Sequence, residues 1–256
     1  MSNNQNTHRP NALSVLISIL IATGLWQVVY LLGIFNPIFL PSPLATFKAF
    51  LVMAESGVML SDLSISLMRV VSGFIPGALL GLIVGLLTSR IRIANLLLNP
   101  LLSILRPIPA IALVPIAIVW FGIGEASKSF VIGYTVFLAV WLNTHHGMVL
   151  VPDVYIKASR TFGVSRLTEY LQVVVPAAAP HIMAGFRIAA AVAFLSLVAA
   201  ELTGATGGIG YRLQESRQYI RVDRMFVSLI ELGVLGALLD AAFVYIGRKI
   251  IHWESI

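Results

Sequence analysis

The strongest constraint on this chain is the recurrence of apolar segments long enough to cross a bilayer. A helix needs about 20 apolar residues to span a hydrocarbon core of roughly 30 Å. Residues 12–34, 70–87, 100–121, 130–149, 181–200 and 225–246 each approach that length, and the first carries no charge at all. Only 11% of the 256 residues are charged and 58% are hydrophobic, whereas a soluble domain carries roughly 25% charged residues. So few charges cannot cover the surface of a compact soluble protein. The reading is an all-α, polytopic membrane protein with about six transmembrane helices. It excludes a soluble enzyme, a disordered regulator and a disulfide-stapled secreted domain. The absence of cysteine removes disulfides, thiol nucleophiles and thiolate metal sites.

The first apolar run is too long for a cleaved signal peptide, and no small-x-small site closes it. Arg9 precedes it, so it reads as an anchor with residues 1–11 as a cytoplasmic tail and residues 12–256 as one transmembrane domain. Arg90, Arg92, Lys157, Arg160, Arg166, Arg248 and Lys249 then fall inside. Lys48, Lys128, Arg212, Arg217, Arg221 and Arg224 fall outside. This is a small bias in the positive-inside direction. It explains the net charge of +6 without a nucleic-acid partner. Pro37, Pro41 and Pro43 break the chain after the first span, and residues 44–64 read as a short outer surface helix. No internal repeat or low-complexity stretch divides the chain.

Gly73, Gly77, Gly81 and Gly85 recur every fourth residue, and Gly185, Ala189 and Ala193 repeat the pattern. Such stripes let backbones approach closely, either inside one subunit or between two. Pro107, Pro109 and Pro115 kink the third span. A broken helix at membrane depth is tolerated where it lines a cavity or is covered by protein.

Residues 150–176 form an inside loop of mixed character. Asp153 reads as the N-cap of a helix with Val154, Tyr155, Ala158 and Phe162 on one face and Lys157 and Arg160 on another. Gly163 sits where a glycine stops such a helix, Ser165 caps a second, and Pro176 limits it. A basic, apolar-ridged helix of this kind docks into a groove of a soluble partner or rests on lipid headgroups.

Within that loop stand Lys157-Ala158-Ser159, three residues, Gly163, nine residues, and Val173-Val174-Val175-Pro176. This resembles the EAA loop of permease subunits of bacterial ABC importers: Glu-Ala-Ala, three residues, Gly, nine residues, Ile-x-Leu-Pro. Lys157 stands in place of the Glu, so an ion pair made by that Glu does not carry over. Ser159 replaces the second Ala. The segments FLPSPLATFKAF, RPIPAIALVPIAIVWFGIGEASKSF, WLNTHHG and GFRIAAAVAFLSLVAAELTGATGGIGY extend the resemblance over residues 36–253, to the aliphatic sulfonate, taurine and nitrate subfamily with its bicarbonate and aromatic-acid relatives.

The resemblance implies a type I importer fold in the inner membrane, working by alternating access. It implies a second permease copy, two cytoplasmic ATPases and a periplasmic binding protein as partners. ATP and magnesium would sit on the ATPase, with no cofactor on this chain, which carries no Walker A loop. It also implies that Ala158 and Gly163 seat the coupling helix, with Lys157, Ser159, Arg160, Thr161, Phe162 and Arg166 around them.

Ionisable residues at membrane depth are candidates for a translocation path. Arg106 and Arg187 lie roughly 9 Å in from the cytoplasmic ends of their spans at 1.5 Å per residue. Asp240 is placed to neutralise either one. Glu201, at the outer end, and Glu231 are candidates for a gate or for partners of the outer arginines. The resembling segments add Pro107, Pro109, Trp141 and Asn143. Arg217, Arg221 and Arg224 are spaced as one helical face. With Arg212 they read as a basic periplasmic mouth for an anion, or as a solvated helix partly neutralised by Glu215 and Asp223. His145 and His146 are adjacent, which is not a chelating spacing.

An intramembrane enzyme is disfavoured. The chain has no Gly-x-Ser-x-Gly nucleophile motif, no histidine–carboxylate metal spacing and no paired intramembrane aspartates. An ATP-independent channel or secondary transporter is the alternative, and the loop spacing favours the importer.

Overall fold

The computed structural model describes residues 12–251 and Trp253. The expected cytoplasmic tail, residues 1–11, lies outside the described residues. Those described contain helices and no strands. Helix α1 (Ala12–Leu31) is apolar all round and exposes almost every side chain. It is tied near its C-terminal end by Trp26, whose Nε1 donates to the Pro41 carbonyl at 3.0 Å and whose ring stacks on Phe226.

Helix α2 (Pro43–Glu55) starts on Ser42, whose hydroxyl accepts from the Ala45 amide, with Pro43 pre-set for the first turn. The surface helix expected over 44–64 is shorter than that. It stops at Glu55, Gly57 takes a left-handed φ of +73°, and residues 58–64 open α3 (Val58–Arg90). Only glycine enters that backbone region without strain.

The expected third span is a break rather than a kink. Helices α4 (Arg92–Leu105) and α5 (Ala110–Phe121) meet at 103°. Pro107 and Pro109 explain it: each lacks an amide donor and each disfavours helix in the residue before it. Pro100 and Pro115 sit inside the two halves. Among the described residues five helices are long and apolar enough to cross a membrane, and a sixth span follows if α4 and α5 count as one.

Helix α6 (Glu125–Val149) leads to the short α7 (Asp153–Thr161). Then α8 (Arg166–Glu169) runs through a π turn at Tyr170–Val174 into α9 (Val175–Glu201). Pro176 does not stop this helix. The π turn opens the hydrogen-bond ladder just before the residue that supplies no donor, so the chain stays helical. Helices α10 (Ile209–Gln218) and α11 (Val222–Ile250) complete the chain.

The core is α6 held between α3 and α9. A Cβ added to Gly73 would lie 2.7 Å from the Ile132 Cβ, one at Gly81 2.6 Å from the Phe137 carbonyl, and one at Gly85 2.6 Å from the Thr144 Cβ; at Gly77 it would strike the Gly133 carbonyl. The glycine stripe is therefore packing within one subunit. On the other side Gly185 abuts Asn143, and Ala189 and Ala193 are fully buried.

Candidate functional site

At the α7 end of the bundle, Pro152 is the N-cap of α7 and Asp153 its first residue, not the cap. Asp153 makes no side-chain capping bond there; its charge lies in the first turn, where it favours the helix dipole. The C-terminus follows the expectation. Phe162 is the C-cap and Gly163 follows with φ +71°, open space where a side chain would be. The Ser165 hydroxyl accepts from the Thr168 amide and caps α8.

Helix α7 turns Ile156 and Ser159 toward the bundle. Lys157, Ala158, Arg160, Thr161, Gly163 and Arg166 are exposed. Val154 and Tyr155 are more than half exposed, and Phe162 at the tip is 86% exposed. The predicted apolar ridge is thus present and uncovered in the single chain.

What fixes this loop is a residue that sequence reasoning passed over. Glu169 is buried, with its side chain only 1% exposed. Arg160 Nε donates to its Oε2 at 2.8 Å, and an Arg90 guanidinium nitrogen lies 3.7 Å from Oε1. The Glu169 carboxylate raises the Arg160 guanidinium above its usual range. Tyr170 Oη donates to the Leu86 carbonyl at 2.9 Å, and Arg90 lies over the Tyr170 ring. The short inner helix is thereby tied to the end of α3.

At the opposite end of the bundle, Asp62, Ser66 and Arg69 share one face of α3, spaced i, i+4 and i+7. The Arg69 guanidinium binds Glu125 through Nε at 2.6 Å and Glu201 through one terminal nitrogen at 2.7 Å, and donates to the Gly207 carbonyl at 2.6 Å. Glu201 also accepts from Ser66 Oγ and the Gly210 amide. Asp62 accepts from the Gly208 amide and pairs with Arg212, which also pairs with Glu215. Side chains from α3 and α9 therefore cap the first amides of α10. Glu201 is a partner of Arg69, not of the outer-loop arginines. Arg69 escaped notice because the apolar run begins at Val70; the 62–66–69 polar spacing was the available signal.

The remaining predicted residues fall in several places. Arg187 and Asp240 meet at 2.8 Å, joining α9 to α11. Arg106 is the exposed C-cap of α4, next to Pro107 and Pro109 in the break. Asp240 thus neutralises Arg187 and not Arg106. Trp141 is fully buried, with Nε1 donating to Thr88 Oγ1, and Asn143 donates to the Ala139 carbonyl within α6. Glu231 Oε1 is buried without a hydrogen bond.

Arg217, Arg221 and Arg224 do not share one helix. α10 ends at Gln218, Ile220 takes φ 55°, and Arg221 caps α11 while pairing with Asp223. Arg217 is exposed. His145 hydrogen-bonds Thr88 through Nδ1 at 3.0 Å. Among the described residues no group of three histidines or acids is placed to hold a metal.

Comparison with known proteins gives this arrangement a family. Residues 77–252 match the family model described as binding-protein-dependent transport system inner membrane component. A probable ABC transporter permease protein of Brucella abortus is 36% identical, over 94% of this chain and 95% of its own. The putative aliphatic sulfonates transport permease protein SsuC of Bacillus subtilis is 34% identical, over 91% of this chain and 84% of its own. The taurine transport system permease protein TauC of Escherichia coli is 29% identical, over 90% and 86%. Among solved structures, the MetNI methionine ABC transporter in an inward-facing conformation aligns with TM-score 0.59 at 23% identity, over 72% of this chain and 92% of that one. That likeness shows a shared fold. The chain belongs to the binding-protein-dependent transport system inner membrane components, the permease subunits of ABC importers.

Proposed function

We propose that this chain is the pore-forming subunit of an ATP-driven importer that carries a small oxyanion, of the sulfonate or taurine class, from periplasm to cytoplasm. Transport is by alternating access across a bacterial inner membrane. Residues 1–11 face the cytoplasm. Two copies of the chain form the pore, each α7 docks on one ATPase, and a periplasmic binding protein delivers the substrate. ATP and magnesium are handled by the ATPase.

The observation that carries this reading is α7 itself. Its apolar ridge, with Phe162 86% exposed, is braced from behind by buried Glu169. An exposed apolar face on a braced support suits a groove in a partner better than a lipid surface, where no bracing is needed. The substrate class is supported by the likeness to the aliphatic sulfonates permease SsuC and the taurine permease TauC.

The test is to extract the tagged chain in mild detergent and identify what copurifies. A Walker A subunit in equal copy number is expected, and Gly163→Asp should lose it. If the chain emerges alone and carries flux in liposomes without ATP, the reading fails.

A further inference from the structure

Helix α4 carries a polar stripe that no role described so far requires. Arg92, Asn95, Asn99, Ser103 and the C-cap Arg106 fall within an arc of about 80° at 3.6 residues per turn, and every other position of α4 is apolar. The neutral members form a ladder: Asn99 Nδ2 donates to Asn95 Oδ1 at 2.9 Å and Ser103 Oγ to Asn99 Oδ1 at 3.3 Å. The amide oxygens are turned into the ladder, and Asn95 Nδ2 keeps both N–H groups. Among the described residues neither Arg92 nor Arg106 forms an ion pair. No acidic residue occurs between Asp62 and Glu125.

The stripe is not the wet face of a helix lying flat on the membrane. Leu98 and Leu102 pack into one cluster with Leu138, Trp141 and Leu142, and Tyr134 Oη donates to the Leu105 carbonyl at 2.7 Å. Side chains of α4 therefore reach the middle of α6, the two helices running antiparallel, at membrane depth. Two arginines and three polar side chains turned to lipid there would be expensive. Turned to the same stripe of a second copy, they would set arginine against arginine with no carboxylate between.

We propose that Arg92, Asn95, Asn99, Ser103 and Arg106 form one wall of the translocation path, running about 21 Å from its cytoplasmic end past its middle, and that this wall selects anions. The proposal rests on the permease reading above. The stripe offers hydrogen-bond donors and positive charge at both ends, and the neutral ladder between gives a passing oxyanion weak, repeated contacts that do not trap it.

The chain contains no cysteine, so single cysteines report cleanly. Asn99→Cys and Ser103→Cys are compared with Leu97→Cys and Leu101→Cys on the opposite face, in the assembled transporter in proteoliposomes. The probes are sulfonatoethyl and trimethylammonioethyl methanethiosulfonate, with rates normalised to a free thiol. Labelling of this chain is read by mass. The stripe positions should react about 10-fold faster than the controls and prefer the anionic reagent by about 10-fold, the enrichment expected of a like-signed cleft. Adding Arg106→Gln should abolish most of that preference. Labelling as slow as at Leu97 and Leu101, or absence of charge preference, would overturn the proposal. A spontaneous disulfide between two copies of the Asn99→Cys chain would also overturn it, making the stripe a subunit seam. Copurification of the ATPase is scored in the same preparation, so loss of that partner sinks the importer reading separately.

Discussion

Arg69 shows how one charge can be kept inside an apolar bundle. Its side chain is 4% exposed, and its nitrogens are taken up by Glu125, Glu201 and the Gly207 carbonyl. A buried pair adds little by existing, because desolvation offsets attraction, but losing one partner strands the other. Arg69→Ala leaves the fully buried Glu201 carboxylate without a cation, and a loss of about 3–5 kcal/mol is expected. Glu201→Gln should lose much less, because Glu125 still neutralises Arg69 and the amide keeps the Glu201 shape. Thermal unfolding of the detergent-purified chain, followed by tryptophan fluorescence, checks the ranking. Equal midpoints for the two variants would show that the Glu201 charge itself, and not its shape alone, holds this cluster.

At the scale of elements, the distance between α3 and α6 is set by the absence of side chains. A methyl group at Gly77 has the Gly133 carbonyl in its way, so Gly77→Ala must push the helices apart, for about 1–3 kcal/mol of destabilisation. Gly233, in α11, has nothing within 4 Å of its would-be Cβ. Gly233→Ala should be stabilising by about 0.5–1 kcal/mol through helix propensity alone. Opposite signs in one unfolding assay are expected; a destabilised Gly233→Ala, or a neutral Gly77→Ala, contradicts this packing. That stripe was legible in the sequence because its period is that of a helix. The Gly163 and Ser165 caps were legible too, since capping chemistry is local. Helix ends set by an isolated backbone twist were not: Gly57 cut the expected surface helix short, and Ile220 split the arginines that spacing had put on one face. Nor were partners legible. Arg69 meets Glu201 more than 130 residues away, and no local pattern encodes such a pairing.

For the whole molecule, the two ends of the bundle are fastened differently. One end is closed by a cluster around Arg69 joining α3, α6, α9 and α10. The other joins α7 to α3 through Glu169, Arg160 and Arg90, and α3 is locked to α6 along its glycines. A push on α7 would thus pass to a rigid three-helix unit instead of dissipating in a loop. Lys157 brings no negative charge to α7, and Glu169 supplies it behind that helix. Glu169→Gln keeps the side chain's size and a hydrogen bond from Arg160, but removes the attraction to both arginines. If the chain works with an ATPase as proposed, the expected result is a complex that still assembles with it and still hydrolyses ATP, with transport per ATP lowered several-fold. Parallel measurement of hydrolysis and flux in proteoliposomes, beside a copurification control, separates the possibilities. Hydrolysis and flux falling together would make Glu169 a docking support, whereas an unchanged ratio at full activity would mean that the tie to α3 plays no part in coupling.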